Sequence, residues 1–467
     1  DPVARADIRG LLITVYTLQG DYRGGLAVGR EALAELGASL PETELSVALE
    51  QELAALHAQL GERRAADLLG LAPMTDSTQQ RVFRILMTLV PTTFQSDQPL
   101  WRVLVVRAVR LLLSHGHGPE APLCYSCYGL MLAAMFDRYR HGHEFSRLAL
   151  DLSRRTGNRA QLCISSEMMF GHIGHWIQPI RELYAVADEG YRVGLACGEL
   201  QWAGYILHYR LYNPFRQGEP LADLGRLAPG FRQFCERTGN AIAGHLIRGF
   251  ELILQRLTDP RPPDLHQESE AERAFLQSCQ HQNLEEAIIC FGILRAQLLY
   301  LHGAWEAALA LLESLAPKLG FIPGTLSMAE HVFYHGLCLA ASLPALPPEA
   351  QPARRTAVES VLHRLECWAG SCPTNFRHKE RLLRAELLRV GEQPLAAIQL
   401  YDEAISAARE HGFTGDEALI QERYGDFWLQ QDKPEIAELY CGKAYQQYEF
   451  WGAQAKLADL QARYPGF

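Results

Sequence analysis

The chain has 467 residues, a net charge of −10 and 48% apolar residues, enough to build a large core without a basic excess. That balance argues against nucleic acid and against an anionic membrane surface, and apolar runs such as YGLMLAAMF (128–136) are too short to span a bilayer. The opening Asp-Pro-Val-Ala-Arg lacks signal-peptide anatomy, and eleven cysteines, an odd number, read as reduced core thiols of a cytoplasmic protein.

Taken in order, the first predicted hairpin is Gln19–Leu36, with Gly20, Tyr22, Gly25, Leu26, Ala32 and Leu33 at the small and bulky contact positions of a tetratricopeptide (TPR) repeat. Small residues at Gly25 and Ala32 let two helices approach, and Gly37 and Pro41 stop the second. Amphipathic helices are expected over 42–60 and 78–91, with a loop around Leu71-Ala72-Pro73. From 98 to 257 one pattern returns at a fixed interval: Gly116, Gly157, Gly198 and Gly239 lie 41 residues apart, each after a helical run. The triplet Thr-Gly-Asn occurs at 156–158 and again at 238–240. Glycine directly after a helix suits a left-handed cap, because a Cβ there costs about 1 kcal/mol. Two helices per unit cannot bury their own apolar stripe, so such units must stack.

The proline-rich stretch 259–267 is the expected boundary or surface loop between repeats 1–258 and 268–467, the two forming one continuous superhelix. Gly303, Trp305 and Ala308 then copy the spacing of Gly20, Tyr22 and Gly25, and Leu343–Pro352, with four prolines, is a loop. Ala397 and Ala404, like Ala437 and Ala444, repeat the Gly25–Ala32 interval, and Gly412 and Gly452 are further caps, 40 residues apart. No stretch alternates with period two. The expected fold is all-α, an α-α superhelix: a TPR-like helical-repeat solenoid with a repeat of about 40 residues.

No phosphate-binding loop, nucleophile elbow, H-E-x-x-H or kinase catalytic loop occurs, so the chain reads as non-enzymatic, without catalytic, cofactor-binding or metal residues. His172-x-x-His175 is a possible metal pair, but no acidic or cysteine ligand has a diagnostic spacing to it. His115-Gly-His117 and His141-Gly-His143 fall at predicted helix ends, where imidazole suits the dipole and exposed carbonyls. Cys124-x-x-Cys127 lies within a helical run, and with Cys367 and Cys372 as the other close pair it reads as core packing. An aromatic group carries more: His172, His175, Trp176, Trp202, Tyr205, His208, Tyr209 and Tyr212 recur at helical spacing and could share one concave wall for a ligand or protein partner. The other reading of the same residues is packing between repeats. Asn213-Pro214 is expected to end that helix and leave Phe215 and Arg216 at its rim.

The strings CPTNFRHKERLLRAEL (372–387), AIQLYDEAISAAREHGFTGDEALIQERYGDFWL (397–429) and AELYCGKAYQQYEFWGAQAKLADLQARYP (437–465) resemble a helical region of very large multidomain bacterial signalling proteins, also found in some fungi. LQGDYRGGLAVGREALAELGASLPE (18–42) and HWIQPIRELYAVADEGYRVGLACGELQWAGYILHYR (175–210) resemble the same region, so the likeness covers essentially the whole chain. Its most specific motif is Trp-Gly-Ala-x-Ala-Lys, Trp451 to Lys456; His175 and Trp176 match a recurring H-W-x-x-P motif of unassigned role. The resemblance implies a Ser/Thr-kinase-like domain and a P-loop ATPase of the STAND/AAA type before such an array, and a GAF domain with a histidine kinase or another output module after it. It therefore implies an excised middle region with no cofactor of its own, ATP and Mg belonging to flanking domains. The expected role is a regulatory scaffold that binds a protein partner or the flanking domains of its own chain. The alternative is a small-effector sensor with an aromatic-lined concave pocket, as in STAND-type transcription activators.

Overall fold

The computed structural model describes residues 2–260, 265, 267–391 and 393–464. Among them are 22 α-helices and no strand, with one isolated bridge between Pro73 and His117. The fold is all-α and of the helical-repeat kind, successive helices packing on one another as hairpins. The chain forms two compact units, Asp1–Met169 with Asp188–Glu199, and Phe170–Ala187 with Leu200–Phe467. This division differs from the expected one at 259–267, a stretch in which Arg261–Asp264 and His266 lie outside the described residues.

The first unit holds α1 (Pro2–Leu18), α2 (Tyr22–Glu35), α3 (Leu45–Leu60), α4 (Ser77–Ser96), α5 (Gln98–His115), α6 (Ala121–Phe136), α7 (Tyr139–Thr156), α8 (Arg159–Met168) and the C-terminal part of α9 (Ile180–Cys197). The α1–α2 hairpin packs on α4, α3 on α5, and α6 on α7 and α8. Close approach depends on small residues, as expected at Gly25 and Ala32, both buried. It is tightest where α6 crosses α7: a Cβ on Gly129 would lie 2.6 Å from the Gly142 carbonyl oxygen. The α4 helix runs past Pro91 to Ser96, farther than the expected 78–91.

The second unit holds the start of α9, then α10 (Leu200–Arg216), α11 (Leu221–Arg237), α12 (Ala241–Thr258), α13 (Glu270–His281), α14 (Glu285–Leu301), α15 (Trp305–Leu315), α16 (Leu326–Ser342), α17 (Gln351–Ser371), α18 (Pro373–Val390), α19 (Pro394–His411), α20 (Thr414–Gln430), α21 (Pro434–Trp451) and α22 (Gln454–Arg463). The helices α10, α12, α14, α16, α18 and α20 form an inner row, each touching the next, and the intervening helices cover them. The last helix, α22, packs back on α12, and Trp451 meets Phe215 at 5.4 Å between ring centres. Across the proline-rich stretch α12 packs on α13 and α14, so no division falls there.

Five of the six predicted caps are left-handed glycines that close their helices in one way. Behind Gly157, Gly198, Gly239, Gly412 and Gly452, all with φ between +66° and +95°, the next amide bonds back five residues, as Asn158 N–H does to the Ser153 carbonyl. The Thr-Gly-Asn triplet is a complete joint. Thr156 and Thr238 donate to carbonyls one turn back, and Asn158 and Asn240 cap the following helix by accepting from Gln161 and Ala243. Gly116 departs from this scheme. Its φ of +92° comes with ψ −176°, because the chain leaves α5 into a bridge: His117 N–H donates to the Ala72 carbonyl, and the His117 carbonyl accepts from Met74 N–H.

Candidate functional site

The residues expected to share a wall are brought together in the second unit, but as packed interior. His175, Trp176, His208, Tyr209 and Tyr212 are buried, while His172, Trp202 and Tyr205 are partly so. The expectation of an open concave surface is corrected accordingly: the packing reading of these residues is what the structure displays.

Local backbone explains the placement. The segment Met169–Ile173 forms a π-turn and Gly174–Trp176 a 3₁₀ turn, so His172 and His175 are not one turn apart on a regular helix. Trp176 Nε1 donates to the carbonyls of His172 and Gly324, and its ring stacks on Phe376 at 5.2 Å and meets Trp368 at 5.0 Å. Asn375 Nδ2 donates to the carbonyls of His175 (2.7 Å) and Gln178 (2.9 Å), 200 and 197 residues away in sequence. The H-W-x-x-P segment is thus a plug that fastens the start of α9 to α18. His172 lies between the Pro323 carbonyl (2.9 Å) and the Tyr209 hydroxyl (3.1 Å).

On α10, Tyr212 donates to the Leu246 carbonyl and His208 sits 4.1 Å from the Tyr209 ring and 4.6 Å from the Tyr212 ring. The expected helix end at Asn213-Pro214 is not observed. The helix continues through Pro214 to Arg216, Asn213 Nδ2 is held by the Phe170 carbonyl, and both Phe215 and Arg216 are buried rather than rim residues. Burial holds the His175 imidazole down at about 3, helped by the charges of His172 and Arg216. Burial likewise lowers His208.

Deeper along the inner row the interior is ionic. Lys379 Nζ reaches Asp416 at 2.7 Å and Glu330 at 3.0 Å, and His378 Nε2 reaches the same Asp416 at 2.8 Å. Burial opposes ionisation of Asp416, but Lys379 and His378 outweigh it and bring the carboxyl to about 2. Lys456, the last residue of the Trp-Gly-Ala-x-Ala-Lys motif, is fully buried and bonds Glu422, Asp459 and the Leu301 carbonyl. That motif therefore locks α22 to α20 and α14.

An open groove lies elsewhere, between α18 and α19, with a volume of about 690 Å³. Its α18 side carries Arg377 and Arg381 and its α19 side Asp402, Glu403 and Glu410, Arg381 meeting Glu403 at 2.8 Å, while Leu395, 83% exposed, and Ile398 add apolar surface on α19. Sequence reasoning missed it, because Leu395 looks like one more core position of a helix start.

Among the described residues no group of three or more His, Cys, Asp or Glu could hold a metal ion, and no helix is long and apolar enough to cross a membrane. The His115/His117 pair sits at the end of α5 as expected, whereas His141 and His143 are the third and fifth residues of α7, near the helix N-terminus, where the dipole disfavours a cation. Cys124 and Cys127 are buried inside α6, and burial pushes the Cys127 thiol up to about 12, as suits a packing residue. Compared with known proteins, the chain matches no family model and no curated protein.

Proposed function

We propose that the chain is a non-catalytic interaction scaffold of a signalling protein, and that it engages a peptide segment of a protein partner in the α18–α19 groove. The observation that carries this reading is the groove itself: exposed apolar side chains between a basic and an acidic side, open on the surface of the second unit. A peptide with an apolar anchor flanked by charges of both signs fits it. In a regulatory role, capture of the partner would be passed to flanking ATPase and kinase domains of the kind the resemblance implies, by favouring one arrangement of the array over another.

The test is capture of a defined partner by the full chain. Leu395→Asp should abolish it and Leu439→Asp, at a 54% exposed site on α21, should leave it intact. Equal capture by both variants removes the groove from the account. The second reading, a small-effector sensor, is favoured by one observation: buried polar atoms on α10 that have no partner, at His208 and Arg216.

A further inference from the structure

Four cations are buried among the described residues, Arg216, Arg256, Lys379 and Lys456, all in the second unit. Three have carboxylates: Arg256 pairs with Glu272, Lys379 with Glu330 and Asp416, and Lys456 with Glu422 and Asp459. Pairing of this kind is what makes a buried charge tolerable. Arg216 is the exception. Its Nη1 donates to the Tyr212 carbonyl at 3.1 Å and its Nη2 to Ser327 Oγ at 2.9 Å, while the guanidinium lies 5.3 Å from the Tyr212 ring centre. Its Nε is buried without a partner, and no carboxylate among the described residues lies within ion-pair distance of it.

The surroundings add positive potential. Ser327 is in the first turn of α16, a 17-residue helix whose N-terminal amides carry partial positive charge. Two turns back from Arg216 on α10 is His208, 2% exposed, with neither ring nitrogen hydrogen-bonded. Tyr212 lies between the two and touches both. A charged donor, a second unsatisfied donor and a helix N-terminus, linked through Tyr212 and Ser327 and with no carboxylate among the described residues in ion-pair distance of Arg216, form a set complementary to one kind of guest. The carboxylate that acts on Tyr212 and Cys290 is Glu286.

We propose that Arg216, His208 and the first turn of α16 hold a compact oxyanion, the phosphate or carboxylate group of a small metabolite. The anion accepts from Arg216 Nε–H and from an imidazole N–H of His208, and supplies the counter-charge that the other buried cations already have. The site gives the effector reading its chemical class and does not involve the α18–α19 groove.

The experiment is thermal unfolding of the full chain after overnight incubation with inorganic phosphate, with acetate, or with chloride, at matched ionic strength. The account expects phosphate, acetate or both to raise Tm by about 3 °C or more over chloride, the responding anion naming the source. The rise should vanish in Arg216→Met and shrink in His208→Phe. Equal Tm in all three salts overturns the proposal, as does a rise that Arg216→Met retains, which is a general salt effect. Should Arg216→Met fail to fold, line broadening of phosphate (³¹P) or of acetate (¹H) by the folded wild-type chain, absent with Arg216→Lys, supports the site, and no broadening of either anion overturns it. Partner capture is measured on the same samples: intact capture without an anion response removes this site alone and leaves the groove standing.

Discussion

The two units solve the same packing problem with different interiors. In the first, buried polar residues are mainly hydroxyls, such as Thr92, Thr93, Ser126, Ser146 and Ser165, set among Val103–Val109 and the small residues of α6 and α7. Its main ionic cluster, Glu52 with Arg107 and Arg110, keeps both guanidiniums partly in water. In the second, whole charges are withdrawn from water along the inner row, and its bonds tie residues 111 to 200 apart, as in Arg216–Ser327 and Asn375–His175. Helical repeats with polar residues facing inward are therefore not automatically a binding bore. Long ionic side chains from neighbouring inner helices can reach one another and fill that space themselves.

The largest expected effect tests this contrast. Lys456→Met leaves Glu422 and Asp459 beside a buried methyl group and should destabilise the second unit by about 3–5 kcal/mol, against about 1 kcal/mol for Glu52→Gln in the first. Denaturant unfolding resolved by hydrogen exchange reads both. Equal losses would erase the distinction.

Acid should separate the units next. In the second, burial lowers His175, His208, His302, His331 and His378, whereas the first contributes His117, at about 4. The unfolded chain takes up protons near 6.5 that the folded imidazoles refuse, so stability is full above that value and falls as pH drops toward the folded values near 4 and 3. Each such histidine costs about 1.4 kcal/mol per pH unit inside this window. Amide protection in the second unit should fail at a higher pH than in the first, and the reverse order would contradict the comparison.

The caps sharpen it on a smaller scale. An alanine Cβ at Gly116 would lie 2.1 Å from the Ala72 carbonyl oxygen, so Gly116→Ala should cost about 3 kcal/mol. Gly198 has φ +82° and nothing within 4 Å, so Gly198→Val should cost about 1–2 kcal/mol from backbone strain alone. Thermal unfolding that ranks them the other way would refute the distinction between a bridge glycine and a simple cap.

These differences mark where sequence was informative. The 41-residue glycine interval and the Thr-Gly-Asn triplet reveal the joints, because cap chemistry is local: threonine, glycine and asparagine each act within six residues. The filled interior was not legible. In the run RHKERLLRAE, His378, Lys379, Glu380 and Glu386 look like a solvated helix face, yet all four are buried, their partners lying on α16, α20 and elsewhere in the fold. Helical spacing groups the aromatic residues of α10, but it cannot say whether a shared face is open or covered. What covers it, Phe170 and His172 on one side and Leu246 and Phe250 of α12 on the other, comes from segments 34 to 43 residues away in sequence. Pro214 misled for a related reason, since tertiary bonds such as Asn213 to the Phe170 carbonyl hold the helix through it.

The central claim is that this array recognises its partner at an outer groove while its inner face is its own core. Hydrogen exchange of the full chain with and without the captured partner tests it most directly. The account predicts added protection in peptides covering 373–411 and none at 170–176 or 200–216. Protection confined to those inner segments, with 373–411 unchanged, would contradict it.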